Sequence, residues 1–235
     1  MHVALTEYVG DPRAGESLGI VAGDLAAALE QLLLLSMDVD PHRLVRVAQI
    51  FAAMHMDVVQ GQALDLLGKS PSVEVALHKT ASYTTVGPLT AGAALAGARE
   101  KDVEHLARIA QSLGIAFQFR DDLLGTFGDP ERTGKSAGGD LLEGKRTVLL
   151  EETLTRADRF QKKKLESIVG NPEATPEALA EAREIMVQCG AKAACEIHIT
   201  ELTQEFIDGL DRKYYSAAAR EFLTGVARFI GERER

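Results

Sequence analysis

The feature that most constrains this chain is a pair of neighbouring acids, Asp121 and Asp122, set in an apolar frame of Ala116, Phe117, Phe119, Leu123, Leu124 and Phe127. The stretch reads as a helix, and on a helix Gln118 lies three residues before Asp121 and four before Asp122, so all three share one patch of surface. Adjacent carboxylates repel each other, and on the inner side of an otherwise apolar helix they call for a compensating cation. The fold must therefore leave room for one. With oxygen ligands on offer, a hard divalent ion, Mg²⁺ before others, is the simplest candidate, and Asp121 and Asp122 are its ligands.

The next residues support the same reading. After the helix-ending Gly128-Asp129-Pro130, a glycine-rich basic loop brings Lys135, then Lys145 and Arg146, close in sequence to the acids. Carboxylates that hold Mg²⁺ beside ammonium groups make a site for a highly charged oxyanion such as a diphosphate. A lone Asp-Asp pair is more simply a solvated helix end and a surface turn. Gln118, both acids, Lys135, Asp140, Gly144, Lys145 and Thr147 in one ordered run favour the site instead.

This run, Phe117 to Thr147, resembles the second aspartate-rich motif of the trans-isoprenyl diphosphate synthases, the polyprenyl synthetase family. There Phe-Gln-x-x-Asp-Asp-x-x-Asp is followed by Gly-Lys, Gly-x-Asp and Gly-Lys-x-Thr. One departure is plain: Gly125 stands where a third aspartate is usual. The form Asp-Asp-Leu-Leu-Gly is similar to that of some bacterial geranylgeranyl-type members, and it leaves metal binding to Asp121 and Asp122.

The resemblance implies an all-α, isoprenoid-synthase-type helical bundle around a central cavity. It implies a prenyltransferase that condenses isopentenyl diphosphate with an allylic diphosphate into a short-chain trans-polyprenyl diphosphate, of geranylgeranyl or farnesyl type, with Mg²⁺ as cofactor. Asp121, Asp122 and Lys79 would then be catalytic, and Lys79, Thr80, Gln118, Lys135 and Lys145 would bind substrate. A homodimer is the implied assembly.

At 235 residues and 46% hydrophobic content the chain can bury a large core as one domain. Aromatics are few, at 5% with no Trp, which suits helix-on-helix packing better than a sandwich or barrel. The balance of 26 basic against 35 acidic residues, a net −9, argues against nucleic acid as a partner. Anionic substrates remain accessible where a metal inverts the local charge. Cys189 and Cys195, six apart, form no disulfide framework, and a reducing cytoplasm is the expected home. The longest apolar run, around Leu32 to Leu35, is far short of a transmembrane segment, so none is expected.

In chain order, Met1 to Glu16 reads as a polar lead-in. A buried helix is expected over Leu18 to Leu35, and a second from Pro41, capped by Asp40, to about Leu67. On that helix Gln62 and Asp65 are weak cavity-lining candidates, while His55 reads as packed. Glu74 to Thr85 carries Lys79-Thr80; by spacing alone Lys79 is a solvated lysine, and its place in a diphosphate site comes from the resemblance. Gly87-Pro88 should end or kink that helix. Leu89 to Ala98 and Glu100 to Thr126 come next, then amphipathic helices over 149–157, 159–169, 176–188, 191–210 and 217–230.

Nothing in the chain matches the family's first aspartate-rich motif. His2, the Tyr8 to Gly10 segment and Gly23-Asp24 align with the family's residues just downstream of that motif. The expectation is thus a single synthase domain without its first helices, either because upstream sequence is missing or because the protein is naturally short. In the second case a non-catalytic synthase-like subunit becomes the alternative, with a terpene cyclase of the same architecture a weaker one.

Overall fold

Several helix starts are set by short polar side chains that satisfy backbone N–H groups left without partners at the N-terminus. Asp11 accepts from the backbone N–H of Arg13, and Asp40 from those of His42 and Arg43, each ahead of a proline at the first helical position. Thr147, Asp158, Thr175 and Ser216 do the same for later helices, Asp158 in a reciprocal capping box with Gln161. The structure, a computed structural model, describes residues 1–129, 138–211 and 213–233.

Among these residues every regular element is helical, in keeping with the all-α expectation. The order is α1 (His2–Val9), α2 (Pro12–Leu35), α3 (Pro41–Leu67), α4 (Ser72–Val75), a π-helical segment (Ala76–Val86), α5 (Gly87–Leu95) and α6 (Glu100–Phe127). Then come α7 (Gly139–Leu142), α8 (Val148–Arg156), α9 (Arg159–Glu166), α10 (Pro176–Gln188), α11 (Ala191–Asp208) and α12 (Ala217–Glu232).

Helix α6 is the axis of the molecule. One flank lies against the π-helical segment and another against α11. Two of the three core clusters are built on it. Ala116, Phe119 and Leu123 pack with Leu149, Leu165, Met186 and Ile199, while Ala110 and Leu113 pack with Phe206, Leu223 and Ala227. Each fully buried Leu or Phe side chain removed from water contributes on the order of 1.5–3 kcal/mol. The acids near the C-terminal end of α6 are therefore carried on its most firmly held part.

Glycine allows the close approaches that put neighbouring helices in register with α6. An added Cβ on Gly114 would lie 2.4 Å from Ala81, and one on Gly61 would lie 2.2 Å from the Lys79 backbone nitrogen. Both α6 and α3 thus touch the π-helical segment backbone to backbone, at the turns that carry Lys79 and Thr80. The expected break at Gly87-Pro88 is where π-helical winding gives way to α-helix. Proline close to a helix start needs no N–H partner, so the chain continues there as α5.

Three sequence expectations change. Met1 to Glu16 is not a loose lead-in: α1 ends at Gly10, whose φ of 73° makes the turn, and α2 already starts at Pro12. Asp11-Pro12 is a cap and a first-turn proline, a start signal that the glycines on either side obscured. The apolar run is also much longer than Leu32 to Leu35. Pro12–Leu35 is one 24-residue helix whose best 18-residue window has a mean hydropathy of 1.7, long and apolar enough to cross a membrane by length and composition. The expectation of no transmembrane segment therefore loses its basis, because scattered Gly, Ala and single polar residues break up the run without making it polar. The helix expected to be buried over Leu18 to Leu35 is instead largely exposed in this structure: only Gly15 and Leu34 of α2 are buried, and Ile20, Val21, Leu25, Leu29, Leu32 and Leu33 are exposed, because apolar composition alone does not say what covers a helix.

If the α6 contact is as tight as its geometry, Gly114→Ala should lower stability by about 1–3 kcal/mol through overpacking. Gly92→Ala, on an exposed helical position with open space around it, should be neutral or stabilising by about 0.5–1 kcal/mol. Urea denaturation midpoints of the two variants check this.

Candidate active site

Asp122 is 3% exposed, and its carboxylate is fixed by the protein on both sides. Gln118 Nε2 donates to Oδ1 at 2.8 Å, and the backbone N–H of Val148, in the first turn of α8, donates to Oδ2 at 3.3 Å. A carboxylate at a helix N-terminus gains from the N–H groups pointing at it. Gln118 is held in turn by the Thr80 hydroxyl, which donates to its Oε1 at 2.5 Å. The result is a relay from the π-helical segment through α6 to α8. Burial pushes the Asp122 carboxyl up to about 7, with Asp140 adding to the rise and Gln118, Lys145 and Val148 opposing it.

Asp121 meets a group from the end of α12. It lines a cavity of about 300 Å³ together with Gln118, Asp122, Gly125, Gly139, Asp140, Glu143 and Lys145. Its Oδ1 accepts from Arg233 Nη2 at 2.6 Å. Gly125 now has a positive reason: Asp140 Oδ2 lies 2.7 Å from where a Cβ on Gly125 would stand. The α7 turn is tied there by a hydrogen bond from the Gly138 N–H to the Gly125 carbonyl at 3.0 Å. A carboxylate from α7 thus fills the place that the missing third aspartate leaves open.

Among the described residues no three His, Cys, Asp or Glu side chains are gathered as a ready-made metal cage, and what the site offers a hard divalent ion is a cavity wall of carboxylates. The donors are carboxylate oxygens, the Asp140 carboxylate occupies a cradle that a side chain at 125 would close, and acids outnumber bases along the cavity wall. Lys145 answers part of that charge, its Nζ 3.8 Å from Asp140 Oδ1. Burial works against its positive form, but Asp140, Asp122, Asp65 and Asp121 outweigh it and leave its pKa above the ordinary lysine value.

A second, smaller cavity adjoins the first and is lined by Asp65, Ser72, Val75, Ala76, Lys79, Gln118, Asp122, Lys145, Arg146 and Thr147. Lys79 Nζ is 2.5 Å from Asp65 Oδ2, so the ammonium that looked solvated by spacing is held on the cavity wall. Arg146 is set by Glu151, which accepts from its Nε at 2.8 Å and from the Ser72 hydroxyl at 2.7 Å. Three cations thereby reach one concave surface beside the carboxylates.

A sequence model described as "Polyprenyl synthetase" matches residues 9–186. The chain belongs to the polyprenyl synthetase family. It is 32% identical over 179 residues to a short chain isoprenyl diphosphate synthase of Methanocaldococcus jannaschii, an alignment covering 73% of this chain and 54% of that protein. It is 30% identical over 229 residues to a geranylfarnesyl diphosphate synthase of Aeropyrum pernix, covering 93% of this chain and 71% of that one. The chain thus spans about half to seven-tenths of these curated relatives. Among solved structures, it is similar to a geranylgeranyl pyrophosphate synthase from Corynebacterium glutamicum complexed with isoprenyl diphosphate and magnesium. The TM-score is 0.89 at 34% identity, over 99% of this chain and 70% of that one.

Of the residues singled out from sequence, Lys79, Thr80, Gln118, Asp121, Asp122 and Lys145 gather around the two adjoining cavities or the relay between them. Lys135 lies outside the described residues. Thr80, only 2% exposed, meets Gln118, and so acts on the site by positioning that amide. Thr147 caps α8. Asp140 and Arg146 belong to the run that located the site but were given no role of their own, and Arg233 was not singled out at all. The Gly-x-Asp element of the polyprenyl synthetase pattern signalled Asp140, whereas a residue 112 positions from Asp121 carries no sequence signal of contact.

A group whose folded pKa is raised above its ordinary 3.8 to about 7 holds its proton longer in the folded state than in the unfolded one. The stability it confers is complete below the unfolded pKa and is lost as pH rises through the folded one. Metal-free protein should therefore lose on the order of 2–4 kcal/mol between about pH 4 and pH 7, and Asp122→Asn should flatten that slope. Urea titrations across this pH range in the presence of a chelator measure it.

Proposed function

We propose that the chain provides the diphosphate-ionising half of a short-chain prenyltransferase site, and that the protein condenses isopentenyl diphosphate with an allylic diphosphate. The observation carrying this reading is the convergence of Lys79, Lys145 and Arg146 with Asp121 and Asp140 on adjoining cavities. Ammonium and guanidinium groups there bind the terminal oxygens of a diphosphate, Arg146 in the planar manner that suits phosphate. Asp121 and Asp140 would hold Mg²⁺, which supplies the charge that neutralises the departing diphosphate. The Thr80–Gln118–Asp122 relay fixes the amide of Gln118 beside the ionising carbon. Electrostatic stabilisation of the departing charge by these fixed groups is the main effect the site would supply.

The setting we propose is a homodimer in a reducing cytoplasm. The exposed apolar residues of α2 form a surface that a second copy of the chain would cover, since a helix apolar on several sides is ordinarily buried. The two free cysteines are compatible with such a compartment. Light scattering should then give twice the 25.3 kDa chain mass, and Leu29→Glu should shift the particle toward monomer.

Incubation with isopentenyl diphosphate, dimethylallyl or geranyl diphosphate and Mg²⁺ tests the reaction. The expected product is a longer trans-prenyl diphosphate, and Asp121→Ala should lower turnover by roughly 10²–10³-fold. A cyclised hydrocarbon would point to a terpene cyclase, and no turnover to a synthase-like subunit.

A further inference from the structure

The C-terminal end of α12 reaches the site and delivers a cation to it. Arg120, next to Asp121 on α6, donates to the carbonyl of Gly231, which anchors the last turn of α12 against α6. The backbone N–H of Arg233 closes that turn on the Phe229 carbonyl at 2.9 Å. From there the Arg233 guanidinium lies over the Phe117 ring, 4.0 Å from its centroid, while Nη2 contacts Asp121 Oδ1 at 2.6 Å. The side chain is only 11% exposed. Stacking and partial burial make this far more specific than a surface ion pair, because the planar group is fixed before it meets the carboxylate.

We propose that Arg233 is an exchange cation for the metal: it occupies Asp121 in the unloaded site, and a divalent ion must displace it to gain that carboxylate. The inference rests on the reading of Asp121 as a metal-holding residue. Arg233 Nη2 holds Asp121 Oδ1 in a half-buried place, and the oxygen that Nη2 holds cannot be given wholly to an ion while that bond lasts. Binding of the ion and release of Arg233 are then one event. The last turn of α12, through Arg120 and Phe117, sets how much ion the site requires.

Binding of Mn²⁺ alone, monitored by electron paramagnetic resonance of the free ion, tests this without any turnover. Loss of a charge-assisted hydrogen bond of this kind corresponds to about tenfold in an equilibrium constant, so Arg233→Gln should bind Mn²⁺ about tenfold more tightly than the parent. Arg233→Lys, which keeps the charge but not the planar stack, should fall between them. Phe117→Leu, which leaves the arginine and removes its platform, should tighten binding in the same direction. Arg228→Gln removes a charge from the exposed side of the same helix and should change the constant by less than about twofold. Equal affinity in the parent and Arg233→Gln overturns the inference and leaves the site reading intact, as does equal tightening by Arg228→Gln. Absence of Mn²⁺ binding from parent and variants alike removes the site reading, and the inference with it.

Discussion

The structure depends on one buried carboxylate. Asp122 is almost wholly buried, and its two oxygens are held by groups from α6 and α8, with Thr80 of the π-helical segment standing behind Gln118. A charge in such a place is tolerated only with hydrogen bonds and neighbouring cations around it, and Lys145 is the cation that favours its ionised form. Asp122 is thereby the joint between three elements, and Asp121, its neighbour, is spared that duty and turned to the cavity. Two adjacent acids so come to do different work. One organises the scaffold and the other meets what enters.

Around that joint the cations are arranged by pairs of ties rather than by loops alone. Lys79 is steadied by Asp65, and Arg146 by Glu151, which also holds Ser72 at the start of α4. Each partner lies on an element already packed against α6 or the π-helical segment, so the positive groups are oriented before any ligand arrives. Pre-orientation of this kind is the larger part of what a site for a departing anion needs.

Much of this was legible from residues. Pro41, capped by Asp40, starts its helix at the position the sequence indicated, and Pro176–Gln188 has the bounds expected for 176–188. Local rules suffice there, because caps and prolines act within a turn. The ordered run from Gln118 to Thr147 likewise located the site. Winding, packing and distance were not legible. Nothing in ALHKTASYTTV states that its turns are wider than those of an α-helix. The filling of the space at Gly125 by Asp140 depends on how α7 docks, and the meeting of Arg233 with Asp121 depends on where α12 ends. α2 was misjudged for another reason: apolar content was measured by its longest unbroken run, whereas a helix shows its surroundings the sum over all its faces.

The wide winding of Ala76–Val86 has a consequence for how this family member can change. An α-helix advances about 100° per residue and a π-helix less, so the segment stores an angular offset between α4 on one side and α5 on the other. Loss of a single residue there would draw it toward ordinary winding and rotate Lys79 and Thr80 against α5. Gln118 would then lose the hydroxyl that aims it, although no residue of the site had been replaced. Length, at this one place, is as much a determinant of the chemistry as side-chain identity.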